Sequence, residues 1–281
     1  MKNFPLVSIT IASKNEENNI ANCLKSIKKQ LYPLNKIEVI VVDNNSTDNT
    51  KKIAKKFTDK VFNKGPERSS QRNFGMIKQS QGKYLLYLDA DMTISPQLIK
   101  RAVKKLETTK LKALYLKEII PGQSYWNKVR CFERSFYNTT VIDGLRFFQK
   151  DIFIKTKGFD EKLSSFEDWD LDKRIKKIAK VGALDDNKAV IYHHEKQFNP
   201  KTYFKKKGQY IKNSSLYLNK WGQQDKDIKK QFSFYYRYFG VFIENGKWKK
   251  LIIKPHLTVG MYFLKISVGL TYLFTKIFNN K

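Results

Sequence analysis

The segment Tyr84-Leu85-Leu86-Tyr87-Leu88-Asp89-Ala90-Asp91 decides the fold class. An unbroken apolar and aromatic run that stops at acids reads as a buried strand with a polar carboxyl end. Alternate side chains of extended chain share a face, so Asp89 and Asp91 are expected to point the same way. Two such anions repel unless a cation joins them. Mg2+ or Mn2+, hard ions held by one or two carboxylates plus substrate phosphates, suit that pair. The competing reading is a solvated acidic turn. Working outward, Leu6 to Ala12 and Ile37 to Val42 are short β-branched runs of the same strand-like texture. Between them lie helical stripes: Ile20, Leu24, Ile27 and Leu31, then Ile53 with Phe57, then Phe74 with Ile77. Strands alternating with helices predict an α/β fold with a mostly parallel, wound sheet flanked by helices. Ser95 followed by Pro96 predicts the start of the next helix, with Leu98, Ile99, Ala102, Val103 and Leu106 as its buried face. Asp89 to Thr93 would then form a strand-to-helix loop, the place where open α/β sheets bind ligands.

Three further segments carry polar groups of the right kind. Asp43-Asn44-Asn45-Ser46-Thr47-Asp48 follows the strand ending at Val42. Asp43 is placed to accept hydrogen bonds from a base or ribose, while Ser46 and Thr47 read as local capping residues. Glu167-Asp168-Trp169-Asp170-Leu171 opens a helix with apolar positions at Leu171, Ile175 and Ile178. Acids in a first turn complement the helix dipole, and a carboxylate there is also well placed as a general base. His193 and His194 close the strand-like run Ala189 to Tyr192. Neighbours in a strand face opposite ways, so only one of the two imidazoles is expected to reach a metal.

The bulk composition narrows the alternatives. The chain has 281 residues, enough for one large domain with an appendage, and its 41% hydrophobic content excludes a disordered chain. A formal charge of +29 favours polyanionic partners without choosing among nucleotide phosphates, anionic lipid and nucleic acid. Cys23 and Cys131 lie far apart and outside any Cys/His cluster, so neither a disulfide framework nor a zinc site is expected. The start of the chain has no export-signal pattern, which implies a catalytic domain that stays in the cytoplasm.

Taken in order, Val7-Ser8-Ile9-Thr10-Ile11-Ala12-Ser13-Lys14-Asn15-Glu16-Glu17, Val41-Val42-Asp43-Asn44-Asn45-Ser46-Thr47-Asp48, Gln71-Arg72-Asn73-Phe74-Gly75, Leu88-Asp89-Ala90-Asp91, Gly158-Phe159-Asp160-Glu161 and Glu167-Asp168 resemble the family-2 glycosyltransferases of GT-A fold. The resemblance spans about residues 5 to 195. It implies an inverting transfer of sugar from a nucleotide diphosphate-sugar to an acceptor hydroxyl, dependent on Mg2+ or Mn2+. In that scheme Asp43 binds the base, and Glu16 with the Ala12 and Ser13 backbone lines the nucleotide pocket. Asp89 and Ala90 lie at the nucleotide-sugar, Arg72 near the pyrophosphate, and Asp91 with His193 on the metal. Asp168 is then the catalytic base. Asn44 stands where a second acid is frequent, and the chain has no QxxRW motif, so a single-transfer enzyme is implied over a processive synthase.

From Lys201 the texture changes to Lys, Tyr and Phe in helical spacing, which divides the chain into a catalytic domain (1–200) and a helical, basic-aromatic segment (201–281). Leu257 to Phe274 is apolar but interrupted by Lys265, which costs about 2.5–3.5 kcal/mol at a bilayer centre. An interfacial helix on an anionic membrane is therefore expected over a spanning one, with the protein peripheral on the inner face of the cell membrane and a glycan or lipid-linked acceptor. An ordinary helix packed on the catalytic domain is the alternative. Two rival functions remain: a sugar-phosphate nucleotidyltransferase, which would release pyrophosphate, and a basic nucleic-acid-binding protein, for which no reader motif is present.

Overall fold

The computed structural model describes residues 4–195, 198–212 and 214–278. In chain order its elements begin with β1 (Val7–Ser13), α1 (Ile20–Lys28), β2 (Ile37–Asp43), α2 (Thr50–Ala54), β3 (Val61–Asn63) and α3 (Arg68–Asn73). Next come β4 (Tyr84–Asp89), β5 (Met92–Ile94), α4 (Leu98–Thr108), β6 (Ala113–Ile119), α5 (Tyr125–Arg134), β7 (Phe147–Gln149) and α6 (Lys150–Lys155). The chain continues through α7 (Glu167–Lys176), β8 (Val181–Leu184), β9 (Val190–His193), α8 (Pro200–Lys212), α9 (Ser214–Trp221) and α10 (Lys226–Phe232). It ends with α11 (Val241–Ile243), α12 (Trp248–Ile253) and α13 (Pro255–Phe278). Two compact units result: Met1–Ile119 with Asp143–His194, and Ile120–Ile142 with Glu195–Lys281.

The first unit is a mixed, mostly parallel sheet in the order β3-β2-β1-β4-β7-β6-β9-β5, with β8 also paired to β6. β4 lies between β1, parallel to it, and β7, antiparallel to it. Its alternate side chains enter two cores. Tyr84, Leu86 and Leu88 pack with Ile20, Leu24 and Ile27 of α1 and Leu98, Ala102 and Val103 of α4. Leu85 and Tyr87 pack with Phe148, Phe153, Phe159, Leu171 and Ile175. Burial on both faces is why this strand reads as a continuous apolar run.

Four local expectations are corrected. The helix predicted from Ser95 begins at Leu98, because the Ser95 hydroxyl bonds instead to Lys188 O and Val190 N across the sheet. Asp89 to Thr93 is not one loop: Ala90 and Asp91 make a tight turn, and β5 then pairs antiparallel with β9. Leu31 lies past the end of α1 and is exposed, and Ile178 lies past the end of α7 and is exposed.

The second unit is helical, with α13 packed on α5 and α8. Phe136 and Phe242 meet edge to face in its interior at 5.1 Å. Among the described residues no helix is long and apolar enough to cross a membrane. α13 carries Val259, Phe263, Ile266 and Leu270 exposed at four-three-four spacing, a single apolar stripe. Its side chains beyond Leu270 lie outside the described residues.

Candidate active site

Strand register gathers the sequence-predicted residues at one edge of the sheet. Ser13 pairs with Asp43 and Ala12 with Asp89, so the carboxyl ends of β2, β1 and β4 stand side by side. Asp43 is fully buried and closes the β2 turn: Ser46 N donates to Oδ1 at 2.7 Å, Ser46 Oγ to Oδ2 at 2.5 Å and Ser13 Oγ to Oδ2 at 2.9 Å. Ser46 therefore serves the turn; the N-cap of α2 is Asn49, and Asp48 just before it accepts from Thr50 N at 2.9 Å. Glu16 is fixed by its amide on Thr50 Oγ1 (2.7 Å) and its carboxylate on Asn19 (2.6 Å). Gln71 ties the ends of β1 and β2 together, donating to Ser13 O at 3.0 Å and Val42 O at 2.6 Å.

The centre of the site is Arg72, on α3 and only 1% exposed. Its guanidinium reaches Asp89 Oδ1 at 2.8 Å, Asp168 Oδ1 at 3.3 Å and Glu167 Oε1 at 3.5 Å. Arg72 is thus an organiser of three acids. Burial opposes the charge on both sides, but the pairing outweighs it: Arg72 is pushed further up, and Asp89 is held well below the usual carboxylate range by Arg72, Arg68 and Arg146. Glu167 goes the other way, raised by burial and by the neighbouring Asp168 charge. Asn73, the next residue, positions the far wall. Its amide donates to Phe159 O at 2.8 Å and Glu161 at 2.9 Å, and its Oδ1 accepts from Phe159 N at 2.8 Å. Gly158 beside it has φ +66°, and a Cβ there would collide with Asn73 Oδ1.

Asp168 lies in the first turn of α7. Its Oδ1 accepts from both Arg72 and Tyr87 OH, the latter at 3.0 Å. Both of its side-chain hydrogen bonds among the described residues fall on Oδ1, none on Oδ2, and the side chain is 34% exposed. Two guanidinium groups lie over the Tyr87 ring, Arg72 Cζ at 4.4 Å and Arg146 Cζ at 5.0 Å from the centroid. Arg146 bonds Glu118 at 2.9 Å, and Glu118 meets His193 Nδ1 at 2.9 Å. His193 Nε2 then faces Asp91 Oδ2 at 3.3 Å. A continuous chain of contacts therefore runs from Asp91 through His193, Glu118, Arg146 and Tyr87 to Asp168.

The expectation that Asp89 and Asp91 converge is corrected, because the strand ends at Asp89 and the turn breaks the alternation. Asp89 goes to Arg72 and Asp91 to His193. His194 turns away to Thr93 at 2.8 Å, so one imidazole does face the acid. Although burial disfavours its charge, His193 is pushed up to about 10 by Asp91 and Glu118. Among the described residues no three Cys, His, Asp or Glu side chains converge on one metal position. Asp91 Oδ1 is nonetheless buried with no hydrogen-bond partner, a lone acceptor beside His193 Nε2. A cation completed by substrate phosphates fits that two-ligand corner.

Tyr87, Glu118 and Arg146 were missed in the sequence. Their signal was faint: an acid inside the apolar strand β6, and an Arg between Leu145 and Phe147. Buried charges in apolar runs need partners, and here they partner each other.

A model of glycosyl transferase family 2 matches residues 8–156. The glycosyltransferase AglE of Haloferax volcanii is 39% identical over 113 residues, 38% of this chain and 37% of that one. The beta-monoglucosyldiacylglycerol synthase of a Nostoc species is 31% identical over 145 residues, 47% of this chain and 30% of that one. The matched region is thus about a third of the length of these relatives. Among solved structures, the mannosyltransferase PcManGT from Pyrobaculum calidifontis, in complex with GDP-Man and Mn2+, superposes with TM-score 0.61 at 16% identity, covering 99% of this chain and 81% of that one. TarS of S. aureus superposes with TM-score 0.56 at 21% identity, covering 88% of this chain and 47% of that one. These likenesses establish the GT-A fold.

Proposed function

Because the chain belongs to glycosyl transferase family 2, we propose that it transfers a sugar from a nucleotide diphosphate-sugar to an acceptor hydroxyl, inverting the anomeric centre. The observation that carries this reading is the state of Asp168. One carboxylate oxygen is anchored by Arg72 and Tyr87, the other accepts no hydrogen bond among the described residues, and the side chain is 34% exposed. An anchored base with a free lone pair is what deprotonation of an acceptor needs. The acceptor O–H proton passes to Asp168 Oδ2 as the acceptor oxygen bonds the anomeric carbon, and the bond from that carbon to the diphosphate breaks. One displacement inverts the centre.

The nucleotide side of the pocket is formed by Ala12, Ser13 and Glu16, the Asp43 turn, and Asp89 with Ala90, which are neighbours in register or in sequence. Arg72 keeps Asp89 ionised and holds Asp168 in place. Asp91 and His193 would hold Mg2+ or Mn2+, and a bound divalent ion neutralises the charge that builds on a departing diphosphate. Glu118 orients His193 so that Nε2 faces Asp91, and Arg146 fixes Glu118.

The acceptor we propose is a lipid-linked or cell-surface glycan, with the protein peripheral on an anionic membrane. Support comes from the α13 stripe and from Phe234, Tyr235, Ile252 and Ile253, all exposed on the second unit. The names of the relatives, one a glycolipid synthase, fit the same class. A panel of nucleotide-sugars with Mn2+ tests the activity. Release of nucleoside diphosphate is expected, falling about 10²–10⁴-fold in Asp168→Asn while donor binding persists. Full turnover in that variant, or release of pyrophosphate, removes the assignment.

A further inference from the structure

The second unit contains a cluster of charge that the transfer chemistry does not use. Glu133 on α5 is 5% exposed, and three donors converge on it: Arg130 at 3.1 Å, Lys265 at 3.6 Å and the Tyr137 hydroxyl. Arg130 also reaches Glu195 at 3.1 Å. Two more cations join through aromatic rings. Lys207 Nζ and Arg130 Cζ both lie over Tyr203, at 5.5 and 5.1 Å from its centroid. Arg237 lies over Tyr137, the ring whose hydroxyl binds Glu133, at 6.0 Å. Lys265 is further enclosed by Tyr238 and Phe242, at 5.2 and 5.0 Å.

Four cations, from α5, α8, the helical segment Tyr236–Gly240 that leads into α11, and α13, thus face two carboxylates. Among the described residues no carboxylate lies within ion-pair distance of Lys207, and Lys265 has only the distant contact to Glu133. The imbalance is felt. Burial, then Arg130, pushes Lys207 down to about 7, and burial with Arg237 pushes Lys265 down to about 8 even against the pull of Glu133. A half-buried group of like charges is costly unless an anion completes it. Aromatic faces soften the cost but supply no counter-charge.

We propose that Arg130, Lys207, Arg237 and Lys265 form a binding site for a phosphate group, and that the phosphate is carried by a lipid headgroup. Phosphate has the charge for two uncompensated cations and the oxygens for a guanidinium fork plus ammonium donors. The lipid source rests on the membrane reading above: Phe234, Phe239, Val259 and Phe263 are exposed on the same stretches of chain that carry Arg237 and Lys265. The site itself does not depend on that reading.

Two arms separate the questions. In the first, thermal stability of the full chain is compared in inorganic phosphate and in chloride at equal ionic strength, for wild type, Lys207→Gln and Lys207→Arg. Wild type and the Arg variant are expected to rise in phosphate, with affinity about tenfold weaker in the Gln variant, the loss of one charge-assisted bond. In the second arm, flotation is measured with phosphatidylcholine vesicles with and without phosphatidic acid. Enrichment on phosphatidic acid that falls in Lys207→Gln identifies a lipid phosphate. A phosphate response without such enrichment assigns the site to a soluble phosphate and overturns the lipid source alone. Equal stability of wild type in phosphate and chloride overturns the site, whatever the vesicles show.

Discussion

Replacing Arg72 by Met keeps the length of the side chain and deletes the buried cation that Asp89, Glu167 and Asp168 share. Removing one partner from a buried ion cluster costs about 3–5 kcal/mol, because the charges left behind stay desolvated. Two features reduce that figure. Asp168 is 34% exposed and regains water easily, so its pair counts for little. Arg72 Nε is buried without a partner, a penalty of about 1–3 kcal/mol that the wild type carries and the variant sheds. A net loss of about 2–3 kcal/mol follows, which lowers the Tm by about 3–5 °C at this chain length. The pH dependence has a definite sign. Asp89 is depressed in the fold, so its stabilisation is present above the unfolded carboxylate range near pH 4 and is lost as pH falls below it. The gap between wild type and variant in urea unfolding should therefore be full at pH 7 and shrink below about pH 4. Arg72→Lys should fall between them, having the charge without the fork. A gap under about 1 kcal/mol at pH 7, or one unchanged at low pH, would refute the account of Arg72 as the centre of the acid cluster.

The other expectations concern single contacts. Glu118→Gln should weaken Mn2+ binding about 10–100-fold by electron paramagnetic resonance titration, since it loosens the hold on His193; unchanged affinity would mean that His193 needs no such brace. Gly158→Ala should destabilise by about 1–3 kcal/mol in the same urea assay, because φ is +66° and Asn73 leaves no room for a Cβ. Glu133 is held down to about 2 by Lys265 and Arg130 in spite of burial, so its stabilisation is complete above the ordinary carboxyl value of 4.5 and lost between there and 2. Glu133→Gln should lower stability at pH 7 and flatten the acid limb of the unfolding profile across that window.

Much of the first unit was legible because its strands are buried on both faces. Val7 to Ser13, Ile37 to Asp43 and Tyr84 to Asp89 appear where the apolar runs place them, with acids at their carboxyl ends. What misled was local. Ser95 and Pro96 form a strong helix start, but the hydroxyl found better partners on a distant strand. The alternation argument for Asp89 and Asp91 assumed that extended chain continues through Ala90, where it turns. Tyr87, Glu118 and Arg146 belong to no motif; they matter because β4, β6 and the approach to β7 come together, and tertiary neighbourhood has no linear signature. The basic cluster of the second unit was visible only as net charge, since its members are spread from Arg130 to Lys265.

The chain crosses between its two units three times, and this governs how they can be taken apart. A truncation after His194 would remove α13 while retaining α5, which it packs on. Such a fragment would expose Val129 and Phe132, both buried in the intact protein. Its aggregation, or a negative result in the transfer assay, would then report an orphaned helix and say nothing about a membrane anchor. A clean excision must take the 120–142 excursion together with the tail, and point substitutions in the α13 stripe are the sharper instrument.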